Sequence, residues 1–395
     1  MLELLADALG ADGAEEARGA AALRLRVRLQ PAAGPGARVM PPTYSGADGP
    51  VYLDEQRRVE DAVVPCVLLD SQASQSNRLE EALLLMIADG QLRVPDVMVD
   101  QAEFGSHSAL EFSHRVFDAW VEDALDGGRR FGETNRYERL ASVINRGVAG
   151  PLVELFPVGL LLGCWASRRH NPQGSTRIAR AVTSEIVGYD VLKGERASSR
   201  IDLHHVAAGV PLVDSSSTRF EVLAEGAKGK TKPPSKFNYG NVTPKAAAHG
   251  GATVRYAEQQ TVVSLAALRA VRTAELGVEA PGDPARDLAA RELLALLALS
   301  MLEAQVELGW DLRSGCQLVP QGEPAVELVG RLGAPIASAP LHGLGAAQAL
   351  RARTQRAAEM GLDWGVPPIE LVASEPQLEL LRRSLGLATV ERGEG

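Results

Sequence analysis

"AVVPCVLLDSQASQSNRLEEALLLMI", Ala62 to Ile87, changes its period halfway along, and the fold class turns on that change. Its first nine residues read as a strand, and Pro65, which has no amide donor, places that strand near a sheet edge or a bulge. From Leu79 onward the apolar positions follow helical spacing. Leu79, Ala82, Leu83, Met86 and Ile87 recur at i, i+3, i+4, i+7 and i+8, the stripe of a helix packed on a sheet. Asn77 with Glu80 three residues on forms a capping-box pattern and predicts a helix start there. Capping accounts for Asn77 but not for Ser71, Ser74, Gln75 or Arg78.

Outward from this unit, "ALRLRVRLQ" alternates strictly. Leu23, Leu25, Val27 and Leu29 take one face and Arg24, Arg26 and Arg28 the other, the two-residue period of a half-buried strand. Three arginines on one face suit either an edge kept soluble by charge or a surface that meets RNA. Residues 108–125 have helical spacing through Leu110, Phe117, Trp120 and Val121, which predicts a helical insertion over about 100–150. "LFPVGLLLGCW" (155–165) is an unbroken apolar run and predicts a strand buried on both faces. "RIARAVTSEIVG" (177–188) predicts a helix with Ile178, Val182 and Ile186 inward. Short strand-like pieces follow, then a lysine-rich arm, a strand in "GATVRYAEQQTVVSL" and a linker in "APGDPARD". Beyond these lie a buried helix over residues 288–308, a strand or turn in "WDLRSGCQLVP", and two further helices with loops.

The 395 residues carry a net charge of -9, which at first argues against a nucleic-acid partner. The charge is partitioned, however. No Asp or Glu occurs from Leu155 to Ser184, where Arg168, Arg169, Arg177 and Arg180 lie, nor from Gly226 to Ala257, where Lys228, Lys230, Lys232, Lys236, Lys245 and Arg255 lie. The chain's one other lysine is Lys193. A charge run of this kind is commonly a solvated loop, but glycines, prolines and Tyr239 among the lysines suit a mobile arm that tracks a phosphate backbone.

Cys66, Cys164 and Cys316 are scattered and show no C-x-x-C spacing, so neither a disulfide framework nor a thiolate zinc site is expected. With no targeting segment and no membrane-length apolar run, a cytoplasmic protein is expected. No P-loop, dinucleotide fingerprint, H-E-x-x-H or G-x-S-x-G occurs. His204 and His205 are adjacent and point apart on most backbones, which suits no metal pair, even with Asp202 nearby. No catalytic residue, metal or cofactor is expected.

Several strings in consistent order from Pro41 to Leu265 carry a resemblance: "PPTYSG", "LLDSQASQSNRLEEALL", "FSHRVFDAW", "LFPVGLLLGCWASRRHNPQGSTRIARAVTSEIVG" and "KPPSKFNYGNVTP", with "LRSGCQL" further on. They resemble the CRISPR-associated RAMP superfamily proteins that form the backbone subunit of the type I-U (I-G) Cascade complex. The resemblance implies an α+β fold: a modified ferredoxin-like, RRM-like RAMP core over about 1–270, with helical insertions, a protruding thumb hairpin near 225–250, and a mainly helical C-terminal extension over 285–395. It implies copies lined head to tail along a guide crRNA, binding its backbone and presenting bases to a target DNA strand, together with other Cascade subunits and no membrane. Subunits of this kind are binders and not enzymes. The alternative is a metal-dependent ribonuclease of the same superfamily, for which Asp202 or Asp214 would have to reach the site.

Carried over residue by residue, the RNA-binding set is Ser74, Gln75, Asn77 and Arg78 at the helix start; Trp165, Ser167, Arg168 and Arg169 in the tryptophan loop; Arg177 and Arg180 after it; and Lys232, Ser235, Lys236, Asn238 and Asn241 in the arm. The lysine-dense start of the arm and the His204–His205 pair depart from the family pattern. The physical reading of the helix start agrees with the resemblance. A helix N-terminus presents unpaired N–H groups and partial positive charge, and added hydroxyl and amide donors read phosphate without regard to base. The plainer alternative is that these residues only cap and solvate a turn.

Overall fold

A computed structural model describes every residue except 11–14, 16, 48, 167–176, 195–202, 208, 225–229, 240–249, 278–281 and 395. A nine-stranded sheet organises the chain. Its strands are β1 (Ala22–Pro31), β2 (Asp54–Val59), β3 (Ala62–Asp70), β4 (Val182–Tyr189), β5 (Tyr256–Ser264), β6 (Trp310–Arg313), β7 (Cys316–Pro320), β8 (Ala325–Val329) and β9 (Pro335–Pro340). They run in the order β6-β7-β1-β5-β4-β3-β2, and every pairing is antiparallel; β8 shares the β1 edge with β7 and carries β9. The helices used below are α1 (Leu2–Leu9), α2 (Gln72–Ala88), α3 (Val158–Leu162), α4 (Leu265–Arg269), α5 (Pro284–Leu308) and α6 (Ala346–Ala358). The fold is α+β, as the resemblance implied, and the antiparallel sheet with packed helices is consistent with a ferredoxin-like core.

The alternation in β1 does what its period requires. Leu23, Leu25, Val27 and Leu29 are buried, and the three arginines lie on the opposite face. Leu79, Leu83 and Met86 of α2 join the same core, which continues through α5 from Leu293 to Leu302. Pro65 sits where the β3–β4 ladder stops: pairing with β4 begins at Cys66, while β2 remains paired across Pro65.

Three expected elements differ. Residues 177–188 form no helix; they give a two-residue strand (Arg177–Ile178) and the central strand β4. The spacing was ambiguous, because steps of four from Ile178 to Val182 to Ile186 keep one face in both periods, and the β-branched run then favours the strand. The apolar run 155–165 is mainly helical, ending the helix Gly150–Leu155 and forming α3 before the short strand Cys164–Trp165. A run apolar on every side has no period to distinguish the two states, and Pro157, already in helical conformation at the N-cap of α3, leads the chain into it. The expected helical insertion is largely short 3₁₀ turns and brief helices. Its strands, Ser106–Ser108, Val97–Asp100, Leu125–Asp126 and Arg129–Arg130, join Ile369–Val372 in a second, five-stranded sheet.

The polar start of α2 enters the core. The helix begins at Gln72, with Ser71 as the cap accepting from the Ser74 amide, so Asn77 lies within its second turn and does not cap it. Gln75 is fully enclosed. Its Oε1 accepts from Ser184 Oγ (2.8 Å), Gln305 Nε2 (3.1 Å) and Gln259 Nε2 (3.2 Å), and Gln259 Oε1 accepts from Trp310 Nε1 (2.6 Å). One buried amide thereby ties α2 to β4, β5, α5 and β6. Such a satisfied network favours one arrangement over its competitors, because leaving a member unpaired costs roughly 1–3 kcal/mol.

Candidate nucleic-acid interface

The donors at the α2 start converge on a carboxylate. Opposite the Ile186–Val187 step of β4, β3 advances two residues, from Leu68 to Asp70, so one residue is bulged and Asp70 turns to the side of Ile186. There Asp70, fully buried, accepts from Ser74 Oγ (2.7 Å), Gln75 Nε2 (2.6 Å), Arg78 Nε (2.9 Å) and Arg313 Nη2 (3.2 Å). Arg78 also donates to the carbonyls of Leu312 (2.7 Å) and Asp311. Of the four helix-start candidates, Ser74, Gln75 and Arg78 therefore spend donors inward, and Asn77 remains exposed. This corrects the reading of Ser71–Arg78 as an outward donor surface. A buried carboxylate must be hydrogen-bonded, and three donors from the helix start together with Arg313 do it.

A different part of the set is gathered in a cleft of about 750 Å³ lined by Gln72, Ser113, His114, Arg115, Trp165, Arg177 and Arg180, with Leu162, Gly163, Cys164, Ile178, Ala179 and Thr183. Among the described residues no carboxylate lines it. Trp165 stands at its lip, 54% exposed, with Arg177 as its cross-strand partner, and Arg177 and Arg180 are exposed. Ser167, Arg168 and Arg169 lie outside the described residues.

The cleft is built on the C-terminal end of α3. A helix end leaves carbonyls without intrahelical partners. Here Leu160 O accepts from Arg146 Nη2 (3.0 Å), Leu161 O from the Ala181 amide (2.8 Å), Leu162 O from Arg180 Nε (3.2 Å) and Gly163 O from Arg115 Nη1 (3.1 Å). Arg146 also donates to Ala179 O (2.7 Å), in the cleft wall. Three arginines thus fix the floor; the hydrogen bonds of Arg146 and Arg180 go to carbonyls and not to carboxylates, although Arg180 also acts on the nearby buried Glu80. Arg115 differs. It grips the buried Glu80 through Nε and Nη2, and that carboxyl is pushed up by burial and pulled back by Arg115. Gly163, at φ +82, makes the turn from α3 into the strand; a Cβ there would lie 3.0 Å from Arg180 Cγ and 3.1 Å from Ile178 O. Burial pushes the Cys164 thiol up to about 12, which leaves it no thiolate chemistry near neutral pH.

The arm forms a separate group. Lys232 bridges backbone to backbone with Leu212, and its Nζ pairs with Asp214 Oδ2 (2.8 Å), on the hairpin Leu212–Ser215 and Arg219–Val222. Phe220 packs on Phe237 and Tyr239, with ring centroids at 5.1 and 5.4 Å. Ser235, Lys236 and Asn238 are exposed on this cluster, Asn238 in the left-handed region at φ +65, and Asn241 lies outside the described residues. Asp214, weighed above as a possible catalytic acid, instead neutralises Lys232.

The arginine face of β1 is occupied. Arg24 pairs with Glu327 (2.7 Å), Arg26 with Glu258 (3.0 Å), and Arg28 lies 3.9 Å over the Tyr256 ring. Reading residues by local pattern missed Gln72, His114, Arg115 and Arg146. Arg115 and Arg146 come from the insertion, and no signal near them in sequence points to the cleft. Among the described residues no group of three His, Cys, Asp or Glu could hold a metal ion, and no helix is long and apolar enough to cross a membrane. His204 and His205 are exposed, and Asp202 lies outside the described residues.

Residues 23–193 match the model of a family described as CRISPR-associated protein GSU0053. No curated protein matches the chain.

Proposed function

We propose that this chain, whose residues 23–193 match the model of the CRISPR-associated GSU0053 family, acts in CRISPR defence as a backbone subunit of a Cascade-type complex that holds guide crRNA by its sugar-phosphate chain. One observation carries the reading: in a protein of net charge -9, a cleft lined by no carboxylate among the described residues brings exposed Trp165, Arg177 and Arg180 together, with Arg146 and Arg180 anchored on neutral carbonyls. Phosphate is attracted there whatever the base, and the indole offers every base a π-face. The exposed Lys236, Ser235 and Asn238 of the arm are a second set of donors packed against the hairpin 212–222, suited to a neighbouring length of the same RNA. Repetition of the subunit along the guide, pairing of the guide with a target DNA strand, and contact with other Cascade subunits complete the proposal.

Binding of labelled single-stranded RNA, followed by anisotropy over a range of salt, tests it. The affinity should fall with salt with a slope of roughly 0.7 per phosphate neutralised. Trp165→Ala should lose about 1–3 kcal/mol, a 5- to 150-fold weakening, with little change across RNA sequences. Arg177→Ala should lower the slope by about 0.7. Binding that ignores salt, or a Trp165→Ala protein with wild-type affinity, refutes the assignment of the cleft. Cutting of RNA by the purified protein with magnesium would replace the binder by the ribonuclease alternative.

A further inference from the structure

A second arginine cluster begins where the cleft ends. The link is backbone: the Arg272 amide donates to Arg146 O (2.8 Å) and the Ala149 amide to Arg272 O (3.0 Å). Arg272 is exposed and follows α4, whose C-terminal end is capped in the manner of α3. Arg272 Nη1 donates to Arg269 O (2.7 Å), and Arg291 donates to Val271 O through Nε (3.1 Å) and Nη2 (3.0 Å). Arg269 in turn reaches Ala20 O (2.8 Å) and Ala8 O (3.1 Å). Arg331, exposed in the turn between β8 and β9, lays its guanidinium over Gly19, where a Cβ would come within 2.5 Å of its Nε.

Charges here are crowded and poorly matched. Burial and the neighbouring Arg331 both lower the proton affinity of Arg269, and burial with Arg272 and Arg269 lowers that of Arg291, against Asp287. Asp287 is the carboxylate within the cluster, nearly buried, held by the Thr273 amide (2.7 Å), Arg272 (3.3 Å) and Arg291 (3.6 Å). The adjoining Glu154 and Glu275 are taken by Arg139 and Arg286. Among the described residues, Arg115 pairs with Glu80 while Arg272 and Arg291 share Asp287, so the two clusters hold more guanidinium than carboxylate. Like charges packed this closely are relieved by an anion, and a polyanion of regular pitch can serve several at once.

We infer that the arginines beyond α4 continue the cleft as a second phosphate track, so that an RNA strand seated on Arg177 and Arg180 runs on past Arg146 to Arg272 and Arg331. The inference rests on the RNA-binding reading of the cleft, and the test separates the two. The full-length protein is titrated with a labelled uridine oligomer just long enough for the cleft and with one several times longer. Arg272→Gln with Arg331→Gln should weaken the longer oligomer about tenfold at physiological salt and lower its salt slope by roughly 1.4, two phosphates at about 0.7 each, while leaving the short oligomer unchanged. Arg331→Glu, on an exposed turn that leaves the core untouched, should weaken the longer oligomer further. Equal affinity of wild type and variants for the longer oligomer, or equal loss for both lengths, overturns the track and leaves the cleft standing. Failure of the wild-type protein to bind either oligomer removes the cleft reading and the track with it.

Discussion

Replacing Asp70 by Ala should be among the most damaging single changes in this protein, and the structure supplies the magnitude. The carboxylate is wholly buried and receives four hydrogen bonds, two from arginines whose side chains keep about a quarter of their exposure, 24% and 26%. Removing one partner of a buried ion pair costs about 3–5 kcal/mol, because the other charge is left unmatched. Arg78 and Arg313 can turn partly to water, which lowers that figure. Ser74 Oγ and Gln75 Nε2 are left seeking acceptors, which raises it by roughly 1 kcal/mol or more. About 3–4 kcal/mol remains, or roughly 4–5 °C in Tm, since an unfolding entropy of about 2.1 cal/mol/K per residue over 395 residues gives about 1.2 °C per kcal/mol. Thermal and urea melts of wild type, Asp70→Ala, Arg78→Ala and the double variant measure it. The cycle should show a coupling above about 1 kcal/mol for the Asp70–Arg78 pair. A loss below about 1 kcal/mol with no coupling would refute the claim that the polar helix start serves the core.

Two further outcomes follow from the same geometry. Asp96, buried and bonded by Ser108 Oγ (2.5 Å) and the Val97 amide (2.7 Å), has its pKa raised to about 6, by burial first, with Glu111 and Glu80 adding to it. A folded-state value above the unfolded value of about 3.9 means that the folded protein holds the extra proton between them. Its stability contribution is therefore full below about pH 4 and lost as pH rises through 6, so the advantage of wild type over Asp96→Asn should shrink from pH 4 to pH 7 in paired melts. An advantage that grows over that range contradicts the burial argument. Gly163→Ala should cost about 1–2 kcal/mol from left-handed backbone alone, with more from the close approach of Arg180 and Ile178, and should weaken RNA by displacing Trp165. Wild-type melting and affinity together in that variant would show that the arginine clamp on α3 does not position the indole.

How much was legible in sequence depends on where each partner lies along the chain. The strict alternation of β1 and the stripe of α2 were readable, because their faces are set by the period of one short segment. The stretch 177–188 was not, since its spacing obeys two periods at once, nor was 155–165, which obeys none. Of the candidate site, Trp165, Arg177 and Arg180 were marked by an acid-free segment, and the cleft brings those three together. The polar helix start was the misleading signal. Composition cannot tell donors aimed at a ligand from donors aimed at a buried acid.

The α+β class came from the resemblance carried by short strings, and the residues alone supplied the periods of β1 and α2 and the two acid-free basic stretches. Only the tertiary structure decided which charges are spent. Arg313 reaches Asp70 from 243 positions away, Glu327 reaches Arg24 from 303, and Arg146 reaches the cleft wall from the insertion. Electrostatic energy depends on distance through space and on burial, and neither is a property of neighbours in sequence.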